Sequence, residues 1–298
     1  MFLRWLRRRT SNAAPVALIV FGASAVQCSS DRADFKEVPD GAAPPPGPLT
    51  TPDAGDVDAS AEMECASETT KIYALSMAPD ALYRFDPESL SLTRLGYLEC
   101  PAKNVASMAI DRYGTAWIVY QTGQLMKVRL ADLHCEEVVL RNKPSTVGYF
   151  GMGFAKNDSG AGETLFISNN GLFTIDTSTL EVGRVGPMAL PGIAELTGTG
   201  EGKLFAYSNV NGVVAQIDKT TGNSIETYRT SALGSAAYAV AHWGGDFWIF
   251  ASFGFGASPS SVIRYAPATK TSTTVIADAG AVLVGAGSST CAPVVDPR

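Results

Sequence analysis

Short apolar segments, each centred on an aromatic residue, recur along the chain at nearly regular intervals. The aromatic residues are separated by 44, 49, 39 and 43 positions. The segments are Ile72-Tyr73-Ala74, Ala116-Trp117-Ile118, Leu165-Phe166-Ile167, Leu204-Phe205-Ala206 and Phe247-Trp248-Ile249. A period of this length is typical of an array of repeated supersecondary units.

Each repeat contains further short segments that have the length and alternation of β-strands. A second strand follows each aromatic residue, as in Phe173-Thr174-Ile175-Asp176, and a third follows that, as in Ser224–Tyr228. Another strand precedes the aromatic residue, as in Ser107-Met108-Ala109-Ile110. Four strands in about 44 residues are the size of a propeller blade. The pattern therefore predicts an all-β protein with a single β-propeller of about five blades. A six- or seven-bladed ring with degenerate blades, or an open sandwich, is the alternative.

The first repeat has no strand in front of Ile72, and the end of the chain supplies a candidate. Val282-Leu283-Val284-Gly285-Ala286-Gly287 has the apolar character of the missing strand. Pairing a C-terminal strand with the N-terminal blade closes the ring and removes two exposed edges. We therefore expect this segment to complete the first blade.

Over residues 70–291 these repeats resemble the propeller group that contains NHL-like and YVTN-like repeats. The resemblance lies in the architecture, and no copy carries the dipeptide of WD40 repeats. It implies a rigid ring whose loops line one face, and it implies no particular activity.

Five cysteines are present, and no two have the C-x-x-C spacing of many zinc and redox sites. Cys65 precedes the first strand and Cys291 follows the last, so a bond between them would lock the ring. Cys100 and Cys135 fall near the outer strands of consecutive blades and form the second expected pair. Cys28 then remains as a candidate for lipid attachment.

The N-terminus has the features of an export signal. Four arginines precede an apolar stretch from Ala13 to Val26, which is too short to span a bilayer comfortably. The segment resembles a bacterial lipoprotein signal, with cleavage before Cys28 and lipidation of its thiol. Ordinary signal cleavage after Ala25 is the alternative.

The expected organisation is a signal peptide at 1–27, a linker rich in Pro and Asp at 28–64 and the propeller at 65–298. The expected location is the cell envelope, periplasmic or surface, with a lipid anchor in the membrane.

The charge distribution argues against nucleic acid as a partner. The formal net charge is −6, and no basic patch is present to follow a phosphate backbone. The chain has two histidines and none of the common nucleophile, zinc or phosphate-loop motifs. We therefore expect no metal and no cofactor.

Glu195 is the candidate catalytic residue, although the sequence identifies none firmly. It is aligned with Met108, Met152 and Ala239 of the other inner strands, so a carboxyl group there interrupts an apolar column. Propeller glycosidases use a pair of carboxylates that converge on the channel.

A second, larger group of amides and aromatic rings lies in loops that open on one face. With Glu195, the predicted ligand-binding residues are Asn104, Tyr149, Phe150, Asn169, Asn209, Tyr238, Phe253 and Phe255.

These observations favour a non-enzymatic, envelope-tethered binding or interaction module with a glycan or protein partner. The first alternative is a glycan-processing hydrolase or lyase that uses carboxylates facing the channel. The second is a structural component of the envelope that binds no small ligand.

Overall fold

The computed structural model describes residues 64–254 and 258–297, so the predicted signal peptide, Cys28 and most of the linker lie outside the described residues. The described chain forms a closed β-propeller of five blades, each a four-stranded antiparallel sheet. A 3-10 turn, Ser67–Thr70, precedes the first blade. Among the described residues, no helix is long and apolar enough to cross a membrane. The predicted fold class is confirmed.

The strands follow one another from the inside of each blade to the outside. Blade 1 contains β1 (Ile72–Met77), β2 (Ala81–Asp86) and β3 (Ser91–Tyr97). Blade 2 contains β4 (Val105–Ile110), β5 (Thr115–Tyr120), β6 (Leu125–Arg129) and β7 (Cys135–Val138). Blade 3 contains β8 (Gly151–Lys156), β9 (Glu163–Ser168), β10 (Leu172–Ile175) and β11 (Val182–Gly186). Blade 4 contains β12 (Glu195–Gly198), β13 (Leu204–Ser208), β14 (Val213–Ile217) and β15 (Ser224–Arg229). Blade 5 contains β16 (Ala237–Trp243), β17 (Asp246–Ser252), β18 (Ser261–Ala266) and β19 (Thr271–Ile276). The last strand is β20 (Val282–Ser288).

Ring closure occurs as the sequence predicts. β20 is the innermost strand of blade 1 and pairs antiparallel with β1, from Ile72 opposite Ser288 to Met77 opposite Val282. Cys65 and Cys291 form a disulfide bond just beyond the ends of these two strands. The second predicted bond, Cys100–Cys135, is also present and joins the connection between blades 1 and 2 to the start of β7. Two disulfide bonds indicate an oxidising compartment, as expected for an exported protein.

The hydrophobic core is divided into five layers, each between two adjacent blades. Phe85 of blade 1 packs against Trp248 and Phe250 of blade 5, with ring centroids 5.3 and 5.6 Å apart. Trp117 of blade 2 packs edge-on against Phe154 of blade 3. The aromatic residues that reveal the repeat in the sequence are therefore the side chains that join each blade to its neighbour. The outer strands contribute little to these layers, and β15 is almost fully exposed.

Neighbouring inner strands approach each other closely, and glycine permits this at several positions. A Cβ atom on Gly151 would lie 2.0 Å from the carbonyl oxygen of Ala194, and one on Gly153 would lie 2.7 Å from the carbonyl carbon of Leu196. Both contacts are with the backbone of the next blade, which cannot rotate out of the way as a side chain can. The narrow centre of a five-bladed ring thus requires residues with very small side chains at these positions.

We expect Gly151→Ala to lower the free energy of unfolding by at least about 2 kcal/mol, because the added methyl group overlaps the backbone of blade 4. Gly148→Ala is the matched control, since a Cβ atom there would meet nothing within 4 Å. The control should change stability by no more than about 0.5 kcal/mol. Urea denaturation of both variants measures the difference. Equal effects at the two positions would show that close strand approach does not restrict residue 151.

Candidate functional site

The five inner strands run in one direction and begin at the same end of the central channel. Their first residues are Val282, Val105, Gly151, Glu195 and Ala237. We call this end the channel mouth. The connections that enter the inner strands also lie here, so side chains from several blades meet at this end.

A cavity of about 300 Å³ opens at the channel mouth. Its lining is mostly aliphatic, with a small number of polar groups, which is the usual composition of a small-molecule site. The lining residues are Met77, Val105, Ala106, Gln121, Tyr149, Ile193, Glu195, Ala236, Ala237, Tyr238, Val282 and Val284. Every blade except the third contributes a strand or its end, and the third contributes the loop residue Tyr149.

Glu195 is the buried acid of this cavity. Its side chain is 5% exposed, and its Oε2 accepts a hydrogen bond of 2.7 Å from the hydroxyl group of Ser107. Ser107 belongs to blade 2 and Glu195 to blade 4, and these blades are not neighbours in the ring. The hydrogen bond therefore crosses the channel, and it lies beneath the mouth.

The strand pairing gives Glu195 a different set of equivalents from those that the sequence predicts. Glu195 pairs with Tyr207, two residues beyond the repeat aromatic Phe205, which pairs with Thr197. The positions with the same relation to their own aromatic residue are Gly285, Ser107, Gly151 and Ala239. The alignment with Met108 and Met152 is wrong by one residue, and that with Ala239 is correct. Glu195 is thus the one large side chain in a ring of small ones.

Burial changes the ionisation of this carboxyl group. It raises the pKa of Glu195 to about 8, because the ionised form loses its hydration and no cation replaces it. The hydrogen bond from Ser107 favours the ionised form and offsets only part of this effect. At neutral pH the group is mostly a neutral carboxylic acid, which can donate a hydrogen bond as well as accept one.

Two tyrosines stand beside Glu195 in the cavity. Tyr238 is half-buried, and its hydroxyl group donates a 3.0 Å hydrogen bond to the carbonyl oxygen of Ile193. Burial, with smaller effects from Glu195 and Tyr149, raises the pKa of Tyr238 to about 12. Tyr149 is 43% exposed, and Asn169 donates a 2.7 Å hydrogen bond to its backbone oxygen. The ring of Tyr238 is thus held through its hydroxyl group, and at Tyr149 the backbone is held.

The remaining predicted ligand-binding residues do not line the cavity. Asn104 has a φ of 64° and its N–H donates to Asp80, as expected of a turn residue. Asn209 donates to the backbone oxygen of Ser235 and fixes the loop before β16. Phe150 is fully buried in the layer between blades 2 and 3. Phe253 is 52% exposed and lies outside the lining, and Phe255 lies outside the described residues.

Several lining residues were not identified from the sequence. Met77, Gln121 and Ile193 lie in strand ends and loops of three different blades, and only the closed ring brings them together. Ser107 was also missed as the partner of Glu195. One signal was available in the sequence: Ser107 is the one polar residue of β4, and Glu195 is the one charged residue of β12.

Carboxylate-pair chemistry requires a second acid near Glu195. Among the described residues that line the cavity, Glu195 is the sole carboxyl group. Within the described part of the chain, no three His, Cys, Asp or Glu side chains form a group that could hold a metal ion. What the arrangement offers is a concave, mostly aliphatic surface, two phenol rings and one carboxyl group that can be neutral or ionised.

Glu195 gives the folded protein a specific dependence on pH. Between its ordinary pKa of 4.5 and its folded-state pKa of about 8, the folded protein binds a proton that the unfolded chain releases. This contribution to stability is full below pH 4.5 and is lost as the pH rises to 8, at about 1.4 kcal/mol per pH unit. Glu195→Gln removes it. We therefore expect the variant to gain stability relative to the unmodified protein from pH 5 to pH 8, as measured by urea denaturation. A difference that stays constant with pH would contradict the assignment.

Comparisons with known proteins find likeness in structure alone. No family model matches the sequence, and no curated protein matches it. A chain of a nidogen/laminin complex is 9% identical over 73% of this chain and 97% of that chain, with a TM-score of 0.48. A streptogramin B lyase is 14% identical over 70% and 69% of the two chains, with a TM-score of 0.37. A protein of unknown function from Bacteroides thetaiotaomicron is 14% identical over 70% and 55%, with a TM-score of 0.46. At these values the likenesses bear on neither the ligand nor the activity of this chain.

Proposed function

We propose that this protein is an envelope-tethered binding module whose ligand site is the cavity at the channel mouth. The cavity, with its buried acid and two tyrosines, is the observation that carries the proposal. A site of this kind is largely formed before the ligand arrives, which reduces the entropy lost on binding. The polar groups are few and converge on one space, so they would orient a ligand whose body contacts the aliphatic wall.

The first described residues, 64–66, lie at the end of the propeller opposite the cavity. Cys65 is bonded to Cys291, which follows the end of β20 away from the mouth. The N–H of Ala66 also donates to the backbone oxygen of Arg112, just after the end of β4. A tether that enters at residue 64 therefore joins the propeller at the end opposite the cavity.

The two alternative functions have less support. A hydrolase or lyase that uses a carboxylate pair needs a second carboxyl group beside Glu195, and the described lining supplies none. A purely structural component needs no cavity at the channel mouth. The binding function is the one that uses the features found there.

Filling the cavity should abolish ligand binding and leave the fold intact. Ala236 is exposed and lines the cavity, so Ala236→Trp would place an indole ring in the mouth without disturbing the core. The matched control is Ala131→Trp, at an exposed turn in blade 2. Saturation-transfer NMR with a panel of neutral, cationic and anionic fragments should find ligands of the unmodified protein and of the control. We expect the Ala236→Trp variant to bind them at least tenfold more weakly. No binding by any fragment, or equal binding by both variants, would overturn the proposal.

The lipid anchor has a separate test. In a bacterial host, Cys28→Ser should move the protein from the membrane fraction to the soluble fraction, because the acylated thiol is lost. Ser29→Ala is the control and should stay with the membrane. Mass spectrometry of the mature N-terminus should find an acylated Cys28. A mature chain that begins at Val26 would instead support ordinary signal cleavage after Ala25.

A further inference from the structure

We propose that the cavity at the channel mouth recognises an organic ammonium group, with the Glu195 carboxylate as counter-ion and Tyr149 and Tyr238 as aromatic walls. The inference rests on the proposed binding function and narrows its ligand to one chemical class. It is carried by the charge, the aromatic content and the aliphatic remainder of the lining.

The charge that the described lining of the cavity can carry at neutral pH is negative. Among the described lining residues, Glu195 is the one ionisable acid, and the lining contains no Lys, Arg or His. The hydrogen-bond partner of its carboxyl group is the neutral hydroxyl of Ser107, which lies across the channel. An ion pair with a bound cation would supply the favourable charge interaction that the protein itself does not provide. An anionic ligand would meet only repulsion from the ionised group.

The aromatic rings add a second attraction for the same kind of ligand. The negative face of a phenol ring attracts cations, and alkylated ammonium groups are favoured because they carry little hydration. Tyr238 is fixed through its hydroxyl group and Tyr149 through its backbone. The ring of Tyr238 is further supported edge-on by Tyr207, at 5.8 Å. Little freedom of the Tyr238 side chain would therefore be lost when a ligand binds beside it.

The aliphatic remainder of the lining distinguishes an organic cation from an inorganic one. Met77, Val105 and Val282 offer methyl and methylene groups to the ligand. Calcium and magnesium ions require several oxygen ligands at once. The carboxyl group of Glu195 and the side-chain amide of Gln121 do not supply enough of them. Alkyl groups on a nitrogen atom fit this surface, so the observations favour a substituted ammonium ion.

Binding of such a cation must be coupled to the release of a proton. In the protein without a ligand, the pKa of Glu195 is about 8. At pH 7 the carboxyl group therefore holds a proton, which passes to the buffer when the cation binds. The other titratable groups that face Glu195 are the phenols of Tyr149, Tyr207 and Tyr238. Burial raises the pKa of Tyr207 and Tyr238 further above neutrality. The described strands β4, β8, β16 and β20 place no Lys, Arg, Asp or His in the lining. Affinity for the cation should therefore fall about tenfold from pH 9 to pH 7.

Choline and its neutral isostere 3,3-dimethylbutan-1-ol form a matched pair of probes, which differ in the charge of one atom. Isothermal titration calorimetry at pH 9 should show that choline binds the full-length protein at least tenfold more tightly than the alcohol. Glu195→Gln keeps the size of the side chain and cannot ionise, so it should weaken choline binding at least tenfold and should remove most of the preference for choline over the alcohol. At pH 7, titrations in two buffers of different ionisation enthalpy should show release of close to one proton per bound choline. Tyr149→Phe, which removes one phenol and keeps the ring, should retain the pH dependence.

The outcomes separate this inference from the function on which it rests. The ammonium assignment is overturned if the alcohol binds as tightly as choline, if Glu195→Gln binds choline normally, or if no proton is released. In those cases, fragments that bind the unmodified protein and are excluded by Ala236→Trp would still support a binding cavity. If no probe binds, both proposals fall.

Discussion

The close approach of five strands around one axis is the constraint on which the rest of this structure depends. Closing a ring with only five blades brings the inner strands so near to one another that a methyl group at Gly151 would overlap the next blade. The aromatic layers between blades hold the wedges together farther out, where there is room for large rings. Small residues on the inner strands and large aromatic residues farther from the axis are therefore both required for close packing of the five blades.

Glu195 is the exception to this constraint, and its chemistry follows from its position. A long side chain in a ring of small residues has space only toward the mouth, where the strands begin. There it crosses the channel to Ser107 and lies beneath the cavity. Burial removes the hydration of the carboxylate, and the described lining of the cavity contains no Lys, Arg or His, so the acid is mostly neutral at physiological pH.

The architecture could be predicted from the sequence because the same unit occurs five times. The cavity could not be predicted in the same way, because its residues occur once and come from different blades. Five aromatic-centred segments at regular spacing determine the number of blades, and the surplus C-terminal strand and the flanking Cys65 and Cys291 indicate the closure. Glu195, Tyr149 and Tyr238 could be selected by residue type. The alignment of β4 and β8 with β12 was predicted with an error of one residue, because apolar residues on both faces of a buried strand give no reliable alternation. The hydrogen bond between Ser107 and Glu195 joins residues that are 88 positions apart in the sequence, and their blades, 2 and 4, are not neighbours in the ring. Phe150 was predicted to face a ligand, and a sequence cannot distinguish a loop aromatic that contacts ligand from one that is inserted between blades.

The disulfide bond between Cys65 and Cys291 also determines how the ring would bear mechanical load. Strands that are pulled from one end separate one hydrogen bond at a time, and β1 and β20 are the pair that joins the first and last strands of the described chain. Tension that arrives at residue 64 instead reaches a covalent bond before it reaches the first pair of that ladder, Ile72 and Ser288. Force applied along the preceding chain would thus be borne by the disulfide bond, and β1 and β20 would stay paired.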